Sequence, residues 1–164
     1  MREKKQVVFI CSGNICRSPL AQGVFEDLVS REELSDKVHI DSAGTSAWHE
    51  GEPADSRMRK TARQRGIFLN SRARQFLPSD FDCFDLVLAM DHSNFQQLKR
   101  LRPERDLKDK LFLFRSFDPK NRGNLDVPDP YYGGDHGFQT VFAIVDRTCP
   151  KLLNYIKTRF SIPS

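Results

Sequence analysis

Gln6-Val7-Val8-Phe9-Ile10-Cys11-Ser12-Gly13-Asn14-Ile15-Cys16-Arg17-Ser18-Pro19 is the stretch that decides the fold. Val7 to Ile10 is an unbroken apolar run of the kind buried on both faces of a parallel sheet, so a strand is expected over residues 6–10. The next seven residues place turn-formers, Gly13 and Asn14, at the middle of a loop. Ser18 as N-cap with Pro19 at the first helical position then predicts a helix start. Leu20, Val24, Phe25 and Leu28 give that helix an apolar stripe to about Ser30. Strand, loop and helix follow one another within thirty residues.

The same alternation continues outward. A second strand is expected at Val38-His39-Ile40-Asp41-Ser42, then a loop over residues 43–53 holding the single Trp, Trp48. A helix over residues 54–65 ends at Gly66. A third strand is expected over residues 84–90, a helix over about 93–101, and a fourth strand over 110–114. Residues 116–137 read as loop, rich in Asp, Pro, Gly and Asn. A long terminal helix follows from Phe138 to about Arg159, where Pro150 predicts a kink or a split. Alternating strands and helices imply an α/β fold: one four-stranded parallel sheet with helices on both faces. With no linker or repeat in the chain, a single domain over residues 1–164 is expected.

Composition excludes several function classes. The 164 residues carry 26 basic and 22 acidic side chains, a formal charge of +4, and 13 Phe that demand a core. That balance is unlike a disordered chain, and a domain of this size needs no staple. No run approaches the roughly 20 apolar residues that cross a bilayer, and the apolar run before Cys11 is too short for a secretory signal. A cytoplasmic protein with no membrane partner is expected. Cys11, Cys16, Cys83 and Cys149 are too few and too uneven for a disulfide framework. They form no zinc pattern with His39, His49, His92 and His136, so no metal and no cofactor are expected. The segment from Arg57 to Arg74 holds seven Lys or Arg and no acid. It reads first as a solvated helix face and second as a surface that steers anions. Nucleic acid is not expected, because aromatic residues are sparse within it.

Chemistry concentrates in residues 11–18. In open parallel sheets, ligands bind beyond the carboxyl ends of the strands, and this loop leaves the first strand at such an end. Loop amides and the helix N-terminus make an anion site. A nucleotide-binding loop needs Gly-Lys-Ser/Thr at its end, whereas this loop has Cys16-Arg17-Ser18, which argues against an ATPase. A curled loop would point Cys11 up from its floor and close Arg17 over its rim. Amides, helix dipole and guanidinium all favour the Cys11 thiolate, and the Arg17 fork can pair with two phosphate oxygens at once. Gly13 and Asn14 suit a left-handed backbone. The Ser18 hydroxyl is expected to cap the helix, to donate to the sulfur, or both.

These residues, together with Asp129-Pro130-Tyr131-Tyr132-Gly133, closely resemble the low-molecular-weight protein tyrosine phosphatases, and the resemblance covers the whole chain. Asp41-Ser42-Ala43-Gly44 and Met90-Asp91 also look like family positions. The resemblance implies a flavodoxin-like fold of the phosphotyrosine phosphatase I type, and hydrolysis of phosphotyrosine and small aryl phosphates through a phosphocysteine. On it, Cys11, Arg17 and Asp129 are the catalytic residues, with Asp129 as proton donor to the leaving group and Asp126 as its rival. Ser12, Gly13, Asn14, Ile15, Cys16 and Ser18 bind phosphate, Trp48 and Tyr131 flank the mouth, and Ser42, Asp91 and Tyr132 support the site. Related phosphoarginine phosphatases carry Thr where this chain has Ile15, which favours phosphotyrosine. Many relatives have a supporting His where this chain has Ser71, so a bridging water is expected there. Cys16 is expected to trap oxidised Cys11 as a disulfide, a redox switch; its rival is a small residue packing the loop floor. The expected partner is a phosphotyrosine protein or peptide, and the chain is expected to be a monomer with weak self-association as the alternative. The competing readings are a phosphoarginine phosphatase, a thiol-dependent arsenate reductase, for which Cys83 and Cys149 are poorly placed, and a non-catalytic phosphopeptide-binding module.

Overall fold

The computed structural model describes residues 4–163; residues 1–3 and 164, included in the single-domain expectation and in the reading of the N-terminus, lie outside the described residues. Apolar β-branched segments form four strands, β1 (Lys5–Cys11), β2 (Val38–Gly44), β3 (Leu86–Ala89) and β4 (Leu111–Leu113). All neighbours are parallel, in the order β2-β1-β3-β4. The helices are α1 (Arg17–Arg31), α2 (Ser56–Arg63), α3 (His92–Leu101) and α4 (Asp135–Arg159). Short 3-10 turns at Pro78–Asp82 and Phe114–Phe117 complete the chain.

Alternation along β1 builds the two halves of the core. Val7 and Phe9 point to the layer that holds α1 and α4, while Val8 and Ile10 point to the side of Leu98 on α3, Phe76, Phe81 and Phe84. Phe9 packs edge-on against Phe25 of α1 and Phe114, with ring centroids 5.7 and 5.6 Å away. Each such pair contributes about 1 kcal/mol beyond its buried area. The register aligns Cys11 with Gly44 and Ile10 with Ala89. Three strands thus end along one edge of the sheet, where the site lies.

Element boundaries differ from expectation mainly at the helix starts. α1 begins at Arg17 after Cys16, and no side chain caps it, so Ser18 is not the N-cap and Pro19 is the third helical residue. Proline is tolerated there because the first four N–H groups of a helix have no partner within it. Asp55 and Asp91 cap α2 and α3 through their carboxylates. α4 starts three residues earlier than expected and runs unbroken through Pro150. Among the described residues, no helix is long and apolar enough to cross a membrane.

Candidate active site

The loop of residues 11–18 curls because its carbonyls are bound outward. Cys11 O accepts from Thr45 N, Ser12 O from Ser46 N, Ile15 O from Asp55 N, and Cys16 O from Leu20 N, at 2.7 to 3.2 Å. In a planar trans peptide the following N–H points opposite to the carbonyl. The amides of Ser12, Gly13, Cys16 and Arg17 are therefore turned into the loop, where an anion would sit. Gly44 permits the close approach of β2 to this curl, since a Cβ there would lie 2.7 Å from Ser12 O.

Asn14 holds the middle of the curl with a left-handed backbone, φ 59°. Its buried amide donates to Ser18 Oγ at 2.8 Å and Ser42 Oγ at 3.0 Å, and its oxygen accepts from Arg74 N at 3.0 Å. Gly13 does not share that left-handed backbone, contrary to expectation. It is small because the His49 ring lies over it, and a Cβ would come within 2.8 Å of His49 Cδ2. Ser42 in turn donates to Gln22 Oε1 at 2.6 Å. Gln22, four residues after Ser18 on α1, thus supports the Asn14–Ser42 pair. Ser18, Gln22 and Glu26 form a polar column beside the apolar stripe, a signal that helical spacing carried.

Cys11 Sγ lies 3.0 Å from Ser18 Oγ and 3.5 Å from Ser18 N. The Ser18 oxygen accepts from Asn14, and its own proton has the sulfur as nearest acceptor, with Ala43 O at 3.4 Å. Arg17 is only 2% exposed. Its Nη1 donates to Asp91 Oδ2 at 2.7 Å and to Val127 O at 2.9 Å. Nη2 stands 3.5 Å from Ser12 Oγ and 3.6 Å from Asp129 Oδ2. Burial works against the guanidinium charge, but Cys11, Asp91 and Asp129 outweigh it and raise the Arg17 pKa. Burial, with Asp55 and Cys11 nearby, pushes the Cys16 thiol up, so it stays protonated.

A cavity of about 140 Å³ opens above Cys11, lined by Ser12, Gly13, Ile15, Cys16, Arg17, Ser46, Trp48, His49, Asp129, Tyr131 and Tyr132. Trp48 and Tyr132 stand 87% and 89% exposed at its mouth, and Tyr131 packs edge-on against Tyr132 with centroids 4.9 Å apart. Asp129, with its side chain 43% exposed, accepts from Tyr131 N at 3.0 Å. Asp126 is engaged elsewhere, taking His92 N at 2.9 Å and His92 Nδ1 at 2.6 Å. All the expected catalytic and phosphate-binding residues surround or support this one cavity, Cys83 is exposed, and Cys149 is buried in α4. Among the described residues no cluster of three or more His, Cys, Asp or Glu side chains is placed to hold a metal ion.

Residues 6–161 match the family described as low molecular weight phosphotyrosine protein phosphatase. The chain belongs to this family. A low molecular weight protein-tyrosine-phosphatase of Streptomyces coelicolor is 46% identical over 154 residues, 93% of each chain. A Gallus gallus relative named low molecular weight phosphotyrosine protein phosphatase is 43% identical over 92% of this chain and 95% of its own. The crystal structure of a protein tyrosine phosphatase from Entamoeba histolytica superposes with a TM-score of 0.88 at 40% identity, covering 96% of this chain and 99% of that one. For this phosphatase family member, residues outside the contiguous loop that sequence reasoning had not assigned to the site include His49, Ser46, Gln22 and Arg57.

Proposed function

We propose that the chain hydrolyses phosphotyrosine in proteins or peptides, and small aryl phosphates, through a phosphocysteine at Cys11. The observation that carries this reading is the Cys11 sulfur, 3.0 Å from the Ser18 hydroxyl, at the floor of a cavity closed by Arg17 and Asp129. Loop amides and the inward Arg17 Nη2 hold the phosphate, while Asp91 and Val127 O fix the guanidinium plane. Cys11 attacks phosphorus, and Asp129 gives a proton to the leaving oxygen. The Asp129 carboxylate then takes a proton from the water that attacks the phosphocysteine. Cys11 leaves with the Ser18 O–H donated to its sulfur. Ile15 gives the floor an apolar side, and Trp48, Tyr131 and Tyr132 form a slot for an aromatic ring.

Four unpaired cysteines suit a reducing, cytoplasmic setting, and a monomer without nucleic-acid partners fits this reading. In the same reading peroxide converts the Cys11 thiolate to a sulfenic acid, and the Cys16 thiol displaces water from it to close a disulfide. Mass spectrometry after peroxide should find that bond in the wild type. Full thiol recovery of Cys16→Ser after the same treatment would remove Cys16 from the role.

The reading is tested by turnover of phosphotyrosine, phosphoserine and phosphoarginine peptides side by side, with an arsenate reduction assay. The phosphotyrosine peptide is expected to be preferred, and Cys11→Ser to retain its fold with no more than trace turnover. Faster phosphoarginine turnover, arsenate reduction, or a working Cys11→Ser variant would overturn it.

A further inference from the structure

Arg57 opens the basic segment that reads as a solvated helix face, yet its half-exposed guanidinium has fixed partners in Asp55, Tyr131 and Phe138. It is the second residue of α2, and Asp55 both caps that helix and grips the arginine. Asp55 Oδ1 accepts from Arg57 N at 2.8 Å and from Nε at 3.1 Å, and Oδ2 accepts from Nη2 at 2.9 Å. Aimed in this way, Nη2 also donates to Tyr131 O at 3.0 Å. The guanidinium carbon lies 5.6 Å from the Tyr131 ring centroid and 4.7 Å from that of Phe138 at the start of α4. The backbone of the same Asp55 reaches the phosphate loop, donating to Ile15 O at 2.7 Å.

A run of bonds therefore leads from the phosphate loop, through Asp55 and Arg57, to the carbonyl of Tyr131, the residue whose own N–H holds the Asp129 carboxylate. Local turns, such as Gly133 N to Pro130 O, fix the shape of this exposed segment but not its place over the loop. Among the described residues, the hydrogen bond that reaches the backbone of residues 128–132 from a distant part of the chain is the one from Arg57. The geometry points to Arg57 as a positioning residue for the proton donor, setting where Asp129 stands relative to the phosphate loop. This inference rests on the reading of Asp129 as the acid. Lysine cannot replace it in full, because the paired Nε and Nη2 donors that grip both Asp55 oxygens belong to the fixed fork of a guanidinium.

The test compares kcat/KM for phenyl phosphate, a poor leaving group, with that for p-nitrophenyl phosphate, a good one. Wild type, Arg57→Lys, Arg57→Ala, Asp129→Ala and the Arg57→Ala/Asp129→Ala double variant are measured as full chains, with thermal melts as a check on folding. Misplacing the acid by about 1 Å costs up to about 10²-fold. Arg57→Ala is therefore expected to lose roughly 10- to 100-fold on phenyl phosphate and little on p-nitrophenyl phosphate, with Arg57→Lys in between. In the Asp129→Ala background, removal of Arg57 is expected to cost almost nothing further on either ester. Equal losses on both esters, or an undiminished loss in that background, would make Arg57 a packing residue for α2 on α4 and overturn the inference. Should Arg57→Ala fail to fold, the same comparison with Arg57→Lys decides. A different failure, in which Asp129→Ala leaves the dependence on leaving group unchanged, would instead remove Asp129 from the acid role.

Discussion

The two loops that meet over the cavity are held in different proportions by neutral and by charged hydrogen bonds. The middle of the phosphate loop rests on short, uncharged hydrogen bonds among buried and half-buried neighbours: Asn14 to Ser18 and Ser42, Ser42 to Gln22, and Asn14 to a backbone amide. The segment that carries Asp129 has one neutral backbone tie, Val127 N to Met90 O at 2.8 Å, and is otherwise tied by three arginines, each donating to a main-chain carbonyl: Arg115 to Asp126 O at 2.7 Å, Arg17 to Val127 O at 2.9 Å and Arg57 to Tyr131 O at 3.0 Å. Each of these arginines is in turn aimed by a carboxylate, Asp118, Asp91 and Asp55 respectively. A nucleophile has to stay fixed through both chemical steps, which a buried neutral network secures. An acid loop has to border an open mouth, and charged ties reach it from a distance without covering it. The first arrangement is insensitive to salt, whereas the second depends on the ionisation of its carboxylates.

The largest effect is expected from the acid itself. Asp129→Ala should lower kcat/KM for phenyl phosphate by about 10² to 10⁴, and far less for p-nitrophenyl phosphate, whose leaving group departs without a proton. Asp126→Ala removes the His92 tie but no proton donor, so it should lower both esters alike and by less. Steady-state kinetics on the two esters checks the assignment. A larger, leaving-group-dependent loss from Asp126→Ala would exchange the two roles and erase the contrast between a catalytic and an anchoring carboxylate.

The neutral network is probed at Asn14. Asn14→Gly keeps the left-handed backbone and deletes three hydrogen bonds, leaving buried Ser42 short of a donor, and should cost about 2 to 3 kcal/mol in urea unfolding. Asn14→Ala should cost about 1 kcal/mol more, the penalty of a Cβ at positive φ. Both losses should be the same at low and high salt. A salt-dependent loss would show that charge holds this loop too.

The same contrast explains what was legible in the sequence. Cys11, Asn14, Arg17 and Ser18 act within one contiguous loop, so residue type and order were enough to place them. Even there the Ser18 side chain was misassigned in part: its hydroxyl faces the sulfur and Asn14, and the helix begins one residue before it. The parallel sheet was legible because fully buried strands are written as continuous apolar runs. Its strand ends were not, since β1 and β2 each run on into the site at Cys11 and Gly44. The supports of the Asp129 segment come from Arg17, Arg57, His92 and Arg115, with Arg147 holding the Asp118 that aims Arg115, and no spacing rule joins them. Arg57 shows the cost of reading charge alone. A cation in a basic run looks solvated until the fold brings a carbonyl and an aromatic ring to it.

The smallest effect tests the charged side of the comparison. Asp118 is fully buried and accepts from Arg115 Nε at 3.0 Å, from Arg147 Nε at 2.8 Å and Nη2 at 2.9 Å, and from Lys120 N at 2.8 Å. Burial by itself would raise its pKa, but the hydrogen bonds from Arg147, Lys120 N and Arg115 prevail and bring it from 3.8 to about 2. A pKa depressed on folding means that the ionised carboxylate stabilises the native state. That stability is fully present above pH 4 and is lost as pH falls toward 2, an amount of about 2 kcal/mol. Other carboxylates with lowered pKa values, Asp55, Asp82, Asp126 and Glu104, slope the same way, so the wild-type curve alone cannot assign the loss. The difference between wild type and Asp118→Asn can. Urea unfolding from pH 6 to pH 2 should show a gap of about 2 kcal/mol or more that narrows as the wild type is acidified, because the asparagine variant has no charge left to lose at this position. Since Arg115 carries the tie onward to Asp126 O, the variant should also lose more kcat/KM on phenyl phosphate than on p-nitrophenyl phosphate. A gap that stays constant with pH would show that Asp118 acts through shape and neutral hydrogen bonds, and that the acid segment is held in the same manner as the nucleophile.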